Sequence, residues 1–424
     1  MKLLFTLLFL CAALPVRAEE APWFAPFRTA EFRVPEAGRP ADALLGACPK
    51  LNGLRAQDGY PDAPAVREVA EITAETLPLP ADDLDKAGIL AVLKTDLEYW
   101  NARPDSAQVR LAGDVYDAPR MRRTITALIE IFSAGLPAEE LLKTLKERFR
   151  VYRASADDGT GKTVITGYYE AEIKVTKTPD AVHKYAVHMK PQDLVKAPAG
   201  SDFDYGRYDA AGKLVPYYTR QEIHGGALAG QGLEIVWSDH PSQIMLLQIQ
   251  GSGVLRFPDG DYARAGFDGA NGQPYRSVQK LLIDCGEVPG MSFKDFIAYL
   301  SAQPQDREER LADLNPRYIF FQRRPKDSLP YGAIGKALTP GRSIAIDPKH
   351  IPLGLFGLLK SKRPVAQGTG LGFKDFTRFI STHDTGSAIR GPGRVDLFWG
   401  SGATAETEAS SMKAAGELYL FVLR

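Results

Sequence analysis

Residues 379–390 read FISTHDTGSAIR and residues 394–400 read RVDLFWG, two segments near the C-terminus. Each sets an aspartate, Asp384 or Asp396, beside a short apolar run of the kind that forms a β-strand. The valine and leucine that flank Asp396 should share one strand face, because successive side chains alternate between faces. Asp396 then shares the other face with Phe398. Loss of hydration beside an aromatic ring raises the pKa of a carboxyl, which suits Asp396 to general acid catalysis.

A third aspartate, Asp347, ends another apolar run, since residues 344–354 read IAIDPKHIPLG. A single aspartate at a strand end is usually a turn former or a cap. Three of them, each beside an apolar strand, favour a shared chemical role. Together these three motifs resemble the three-aspartate (3D) barrel of the lytic murein transglycosylase A family.

The resemblance implies a mainly β fold with helices, in which a double-psi β-barrel is interrupted by a smaller β-rich domain. We expect residues 19–169 and 313–424 to form the barrel with N-terminal helices, and residues 170–312 to form the inserted domain. The substrate groove should run between them, because domain interfaces favour ligand sites. Helices are predicted from Asp83 to Trp100, around Ile125 and Phe132, and after Gly135 and Pro137 with three buried residues, Leu141, Leu145 and Phe149.

Two further segments match the family and supply candidate substrate-binding residues. In the TGYYE segment, a small Thr-Gly step lets a ligand approach the backbone, while adjacent tyrosines offer a sugar ring a flat face and a hydroxyl. In QIQGSG at residues 248–253, both amides should project from one face of a strand, followed by exposed backbone donors. The predicted set is Thr166, Tyr168, Tyr169, Gln250, Gly251, Ser252, Gly253, Thr385 and Gly386.

The N-terminus predicts export. Leu3 to Leu14 is almost wholly apolar but too short to span a bilayer, and Val16 and Ala18 are small residues at the positions that a signal peptidase reads. We therefore expect residues 1–18 to be a cleaved signal peptide and the mature protein to be soluble and periplasmic. Many family members are lipoproteins, but Cys11 lies inside the apolar run without a small residue before it, so lipidation is not expected.

Charge and cysteine content narrow the function classes. The chain has 52 basic and 52 acidic residues, and loss of Lys2 and Arg17 with the signal peptide leaves a net charge of 50 − 52 = −2. Without a basic excess, nucleic-acid binding is not expected.

Cys48 and Cys285 either form a disulfide or are buried thiols. The six histidines show no metal-ligand spacing, so we predict no metal and no cofactor. His383 is either a pKa partner of Asp384 or an inert loop residue.

The resemblance implies cleavage of the β-1,4 bond between N-acetylmuramic acid and N-acetylglucosamine in peptidoglycan, with closure of a 1,6-anhydro ring. Asp396 would protonate the leaving oxygen and later take the proton of the C6 hydroxyl, while Asp384 and Asp347 would orient it or shape its field. Peptidoglycan strands are the implied partner of a monomeric enzyme, and association with an outer-membrane or cell-wall synthesis complex is compatible with the family.

Three other classes stay open. An inverting hydrolase would pair Asp396 with Asp384 or Asp347 across a water molecule. The Asp-Thr-Gly motif also resembles that of an aspartic protease. This alternative is weaker, because the chain holds no second motif of that kind. A non-catalytic glycan-binding protein would need only the groove. The chain also departs from the family in a Gly-rich stretch at residues 367–378.

Overall fold

The computed structural model describes residues 69–72, 76–154, 163–367 and 370–424. Its helices are α1 (Lys86–Asn101), α2 (Ala118–Ala134), α3 (Ala138–Arg148), α4 (Arg220–His224), α5 (Pro241–Gln250), α6 (Val278–Asp284), α7 (Phe293–Ser301), α8 (Gln305–Asp313) and α9 (Ala403–Ser411). Its strands are β1 (Ala70–Ile72), β2 (Gln108–Leu111), β3 (Asp114–Asp117), β4 (Phe149–Ala154), β5 (Thr163–Lys174), β6 (Tyr185–His188), β7 (Val195–Lys196), β8 (Tyr205–Tyr208), β9 (Leu214–Pro216), β10 (Glu234–Ser238), β11 (Ser252–Arg256), β12 (Tyr262–Ala270), β13 (Ile319–Arg324), β14 (Ser343–Ala345), β15 (Phe356–Gln367), β16 (Gly370–Asp384), β17 (Arg394–Ser401) and β18 (Lys413–Leu423).

Six strands close into a barrel. Their order is β18, β15, β16, β14, β17 and β5, and β5 pairs back to β18. The β14–β16 and β17–β5 pairs are parallel, whereas the remaining barrel pairs are antiparallel. The predicted mainly β fold with a barrel and helices is therefore confirmed, while the double-psi topology of its connections stays a prediction.

The strand pattern read from the sequence holds in β17. Val395 and Leu397 are fully buried in the barrel core, and Asp396 between them is only partly buried on the other face. The final strand, β18, pairs with β15, β4 and β5, so the apolar C-terminus is fully used in the sheet. Closing the sheet in this way removes unpaired barrel edges.

Helices α1 and α2 pack against the barrel where the sequence predicted helices. Asp117 caps the start of α2 by accepting a hydrogen bond from the Arg120 backbone N–H, and Gly135 ends it with a positive φ of 66°. Phe149 is buried as predicted, but it begins β4 instead of extending α3.

The buried residues form separate cores. One core takes its residues from positions 69–165 and 334–422. A second takes them from positions 169–321, with Ala405 and Ala409 of α9 added. Strand β5 joins the two, because it pairs with β17 and β18 in the barrel and with β11 in the inserted part. The division at residues 170 and 312 stays a proposal, and Leu314, Ile319 and Phe321 pack in the second core beyond the predicted boundary.

The segment that precedes the Gly-Ser-Gly turn is a helix, and the prediction of a strand there was wrong. Gln248 and Gln250 lie at the end of α5, where side chains two positions apart point roughly 200° apart. The Gln248 amide donates inward to the carbonyl of Ile319 at 3.3 Å. Nearly all of α5 is buried, and a short apolar helix buried on all sides has the same sequence pattern as a buried strand.

Several N-terminal predictions concern residues outside the described ranges, namely the signal peptide at 1–18, Cys11 and Cys48. Cys285 is disulfide-bonded. No helix among the described residues is long and apolar enough to cross a bilayer.

Candidate active site

A cavity of about 1300 Å³ runs between the barrel and the inserted part. Its barrel wall includes Val164, Phe373, Arg390, Arg394, Asp396 and Lys413. Its other wall includes Ile249, Tyr275, Gln279, Met291 and Phe293. We call this cavity the groove. Both cores contribute to it, so the site depends on the way the inserted part packs on the barrel.

Asp396 faces the groove from the middle of β17. Burial raises the pKa of its carboxyl, and the Arg394 guanidinium partly offsets that effect. The closest approach of Arg394 to Asp396 is 3.6 Å, and the Asp396 Oδ1 atom has no hydrogen-bond partner. The ring of Phe398, on the same strand, lies 5.2 Å from that of Tyr168. A partly buried carboxyl that has one oxygen without a hydrogen bond is suited to hold a proton and deliver it to a bound ligand.

Asp384 lies at the end of β16, behind Tyr168, and its carboxylate accepts three hydrogen bonds. The Tyr168 hydroxyl donates to Oδ2 at 2.9 Å, and the backbone N–H groups of Ala333 and Thr385 donate to Oδ1 at 3.0 and 2.9 Å. Burial raises the pKa of Asp384 to about 6, although these hydrogen bonds act in the opposite direction. Burial, with the charges of Asp384 and Asp396, also raises the pKa of Tyr168. Asp384 therefore positions a groove tyrosine.

Asp347 is buried and holds backbone. Its carboxylate accepts from the N–H of Gly391 at 2.8 Å and from that of Lys349 at 3.1 Å. Gly391 belongs to the loop between β16 and β17, which lines the groove through Ser387, Ala388, Arg390 and Gly391. Asp347 thus fixes one wall of the groove, and neither Asp347 nor Asp384 is part of the groove surface.

Four of the predicted substrate-binding residues line the groove: Thr166, Tyr168, Tyr169 and Gln250. The Gln250 side-chain oxygen accepts from the N–H of Tyr169 at 3.1 Å, which joins α5 to β5 at the groove floor. The Tyr169 hydroxyl donates to Glu406 of α9 at 3.3 Å.

The other predicted binding residues, Gly251, Ser252, Gly253, Thr385 and Gly386, are not among the groove-lining residues. Gly251 ends α5 with a φ of 80°. A Cβ at Gly253 would lie 2.4 Å from Leu247 and 2.7 Å from the Ala171 carbonyl, so close packing requires a glycine there. A ligand role for these five residues stays a prediction.

His383 is fully buried in β16 instead of lying in a loop. Its Nε2 lies 3.0 Å from Asp96 of α1, and its Nδ1 lies 2.9 Å from the Ser343 hydroxyl. It also has a small lowering effect on the pKa of Asp384. Its main role is to join α1 to the barrel.

Comparison with known proteins agrees with this architecture. A family model described as the MltA specific insert domain matches residues 164–322, and the 3D domain model matches residues 342–422. A membrane-bound lytic murein transglycosylase A of Vibrio cholerae is 30% identical over 266 residues, which cover 62% of this chain and 66% of that protein. The chain belongs to the lytic murein transglycosylase A (MltA) family.

Solved structures of MltA proteins share the fold. The membrane-bound lytic murein transglycosylase of Agrobacterium tumefaciens matches with a TM-score of 0.68 and 27% identity, covering 84% of this chain and 98% of that one. Escherichia coli MltA, solved with bound chitohexaose, matches with a TM-score of 0.61 and 20% identity, covering 87% and 98%. The curated relatives from Vibrio cholerae and Escherichia coli are each aligned over 66% of their own length.

Sequence reasoning missed several groove residues of this MltA family member. Tyr275 lies in a segment that resembles the family, but its place beside Arg394 and Asp396 emerges only in the folded chain. Burial raises the pKa of Tyr275. Phe373 belongs to the Gly-rich stretch that departs from the family pattern, and it is 52% exposed on the groove wall. The sequence signal for this residue was a large aromatic side chain within a Gly-rich stretch.

Proposed function

We propose that this protein is a lytic transglycosylase that cleaves the β-1,4 bond between N-acetylmuramic acid and N-acetylglucosamine in peptidoglycan. The observation that carries the proposal is the position of Asp396 as the acidic side chain of the barrel wall among the described groove-lining residues. Among the described groove-lining residues, the acidic side chains are Asp396 and Asp284, and Asp284 is paired with Lys280 at 2.8 Å. Burial raises the pKa of the Asp396 carboxyl, which favours its protonated form more than in an exposed aspartate.

One carboxyl is sufficient if the substrate supplies its own nucleophile. Asp396 protonates the glycosidic oxygen as the C1–O4 bond breaks, so the N-acetylglucosamine leaves with a free 4-hydroxyl. The C6 hydroxyl of the muramic residue then bonds to C1 and returns its proton to the Asp396 carboxylate. No water is consumed. A hydrolase would need a second carboxyl for water, and the hydrogen bonds of Asp384 and Asp347 hold both of them behind the groove surface.

The groove surface suits a glycan with acidic substituents. Its aromatic side chains include Tyr275, Phe293 and Phe373, which offer flat faces to sugar rings. Its basic side chains include Arg390, Arg394 and Lys413, which can face the carboxylates of murein peptides. We propose that the protein acts as an exported monomer, in line with the leader-like residues 1–18.

The test is the chemistry of the released fragments and its dependence on Asp396. Asp396→Ala should remove essentially all cleavage of purified sacculi while leaving folding and glycan binding intact, since acid and base steps each contribute about 10² to 10⁴-fold. Asp284→Asn, which alters the other groove carboxyl, is the matched control and should retain most cleavage. Mass spectrometry should find ends of 1,6-anhydro-N-acetylmuramic acid, one water lighter than the hydrolytic product.

The alternatives give different results. Reducing ends that incorporate oxygen from labelled water would identify a hydrolase. Sacculi that stay intact with the wild-type protein, although it binds them, would identify a non-catalytic binding protein.

A further inference from the structure

Three side chains of the inserted part converge at a place that the proposed reaction does not use. They are His224 at the end of α4, and Glu309 and Asp313 on α8. Their ligand atoms all lie within 4.8 Å of one another. Glu309 and Asp313 lie 85 and 89 positions after His224 in the chain, which explains why no motif spacing revealed the cluster.

Two of these side chains are buried without a hydrogen bond. His224 and Asp313 are 6% and 9% exposed, and neither His224 ring nitrogen nor the Asp313 Oδ1 atom has a hydrogen-bond partner. The His224 Nδ1 and Asp313 Oδ1 atoms are 2.7 Å apart, but not in the direction of a hydrogen bond. Leaving buried polar atoms unsatisfied is costly. Two ligand atoms that each lie about 2.1 Å from a tetrahedral ion are roughly 3.4 Å apart, so binding one ion here would widen the 2.7 Å separation by about 0.7 Å.

Glu309 is oriented toward the same place. The Tyr185 hydroxyl donates to its Oε2 atom at 2.7 Å, a contact of the kind that fixes metal-binding carboxylates from behind. The nearby cations make no hydrogen bond to the three side chains. Lys184 forms an ion pair with Glu309 at 3.8 Å, beyond hydrogen-bond range. Arg220 donates to the backbone carbonyls of Asn315 and Arg317, and its charge also acts on Asp313.

We propose that His224, Glu309 and Asp313 bind a divalent transition-metal ion, with Zn²⁺ the best match to one imidazole and two carboxylates. Three protein ligands would leave one position of a four-coordinate ion for a further ligand. Two of the three, His224 and Glu309, line a cavity of about 100 Å³ together with Tyr185. The ion would join α4 to α8 and brace the inserted part.

The site is separate from the groove. The two cavities share no lining residue, so the metal site and the glycosidic reaction can be tested independently. A result on metal binding leaves the proposed function untouched, and a failure of Asp396 chemistry leaves the metal site untouched.

The experiment titrates Zn²⁺ into tag-free, chelator-treated full-length protein by calorimetry. The wild type should bind one ion per chain. Asp313→Asn should lose most of this affinity, and Tyr185→Phe, which keeps all three ligands, should lose about 10- to 100-fold. Asp306→Asn is the matched control, because Asp306 is an exposed residue of the same helix that pairs with Arg310, and it should change little.

Co²⁺ provides a second readout on the wild type alone, because its ligation by imidazole and carboxylate gives a visible absorption. Zn²⁺ should displace the Co²⁺ and abolish this absorption. This readout keeps the proposal testable if Asp313→Asn does not fold. Absence of stoichiometric binding by the wild type, or equal affinity in Asp313→Asn and Asp306→Asn, would overturn the proposal.

Discussion

Asp396 and Asp384 show how similar burial gives two carboxyls different roles. Both have a raised pKa because they are buried. Asp384 is surrounded by donors, and its three hydrogen bonds hold Tyr168 and two backbone segments in place. Asp396 lines the groove, and its Oδ1 atom has no hydrogen-bond partner. The hydrogen bonds, more than the pKa, separate a positioning residue from a proton donor.

Asp384 should make the stability of the protein depend on pH. Its folded pKa of about 6 lies above the ordinary value of 3.8, so the folded chain holds this proton to a higher pH than the unfolded chain. Wild type should therefore lose stability relative to Asp384→Asn as the pH rises from about 4 to about 7, by on the order of 2 to 3 kcal/mol. Urea unfolding of both proteins across this range measures the difference. A difference that stays constant with pH would contradict the assignment.

At the scale of elements, α1 is joined to the barrel by buried polar contacts. Asp96 is fully buried, and its two oxygens contact the Ser381 hydroxyl at 2.6 Å and His383 Nε2 at 3.0 Å. One turn later, the Trp100 indole donates to the Gly354 carbonyl at 2.7 Å. Both contacts hold residues of the aspartate motifs, so α1 braces the active-site side of the barrel.

Asp96→Ala should destabilise the protein strongly. The change leaves two buried partners, Ser381 and His383, without their acceptor, and each unsatisfied group costs about 1 to 3 kcal/mol. We expect the free energy of unfolding to fall by roughly 2 to 6 kcal/mol, measured by urea denaturation. Glu98→Ala is the control on the same helix. Its pair with Lys336 is exposed, and such pairs contribute about 0 to 1 kcal/mol. Equal losses in the free energy of unfolding of the two variants would show that the buried network stabilises the protein no more than an exposed ion pair does.

At the scale of the whole molecule, β5 belongs to both cores. Its first half pairs inside the barrel, and its second half pairs with β11 in the inserted part. Buried Glu170, near the middle of β5, contacts Arg264 of the inserted part and Ser401 of the barrel. A continuous strand with a shared ion pair holds the two groove walls at a defined separation.

The basic residues of the groove should favour glycans that carry peptides. Arg390 is exposed on the loop that Asp347 holds. Arg390→Gln should raise KM for peptide-bearing strands about 1.5- to 5-fold with little change in kcat, because exposed charge pairs contribute about 0.2 to 1 kcal/mol. The effect should shrink in high salt and be absent with uncharged chitooligosaccharides. Lys143→Gln, on α3 and 75% exposed, is the control for loss of one positive charge. An equal rise in KM for uncharged glycans would point to a steric cause.

The strands around the aspartates and the membership of the family could both be predicted from the sequence alone. Alternation of apolar residues placed Val395 and Leu397 in the core and Asp396 on the opposite face, because this pattern depends only on local backbone geometry. The caps of α2 and α7 were local too, as Gly135 and Ser292 show.

Tertiary contacts determine which of the three aspartates reaches the groove. Asp347 and Asp384 look like Asp396 in sequence, but contacts with Gly391, Ala333 and Tyr168 hold them behind the groove surface. The same holds for α5, which was predicted as a strand, and for His224, which meets Glu309 and Asp313 from a distant part of the chain. Local periodicity cannot reveal these arrangements, because they depend on which segments pack together after the barrel closes.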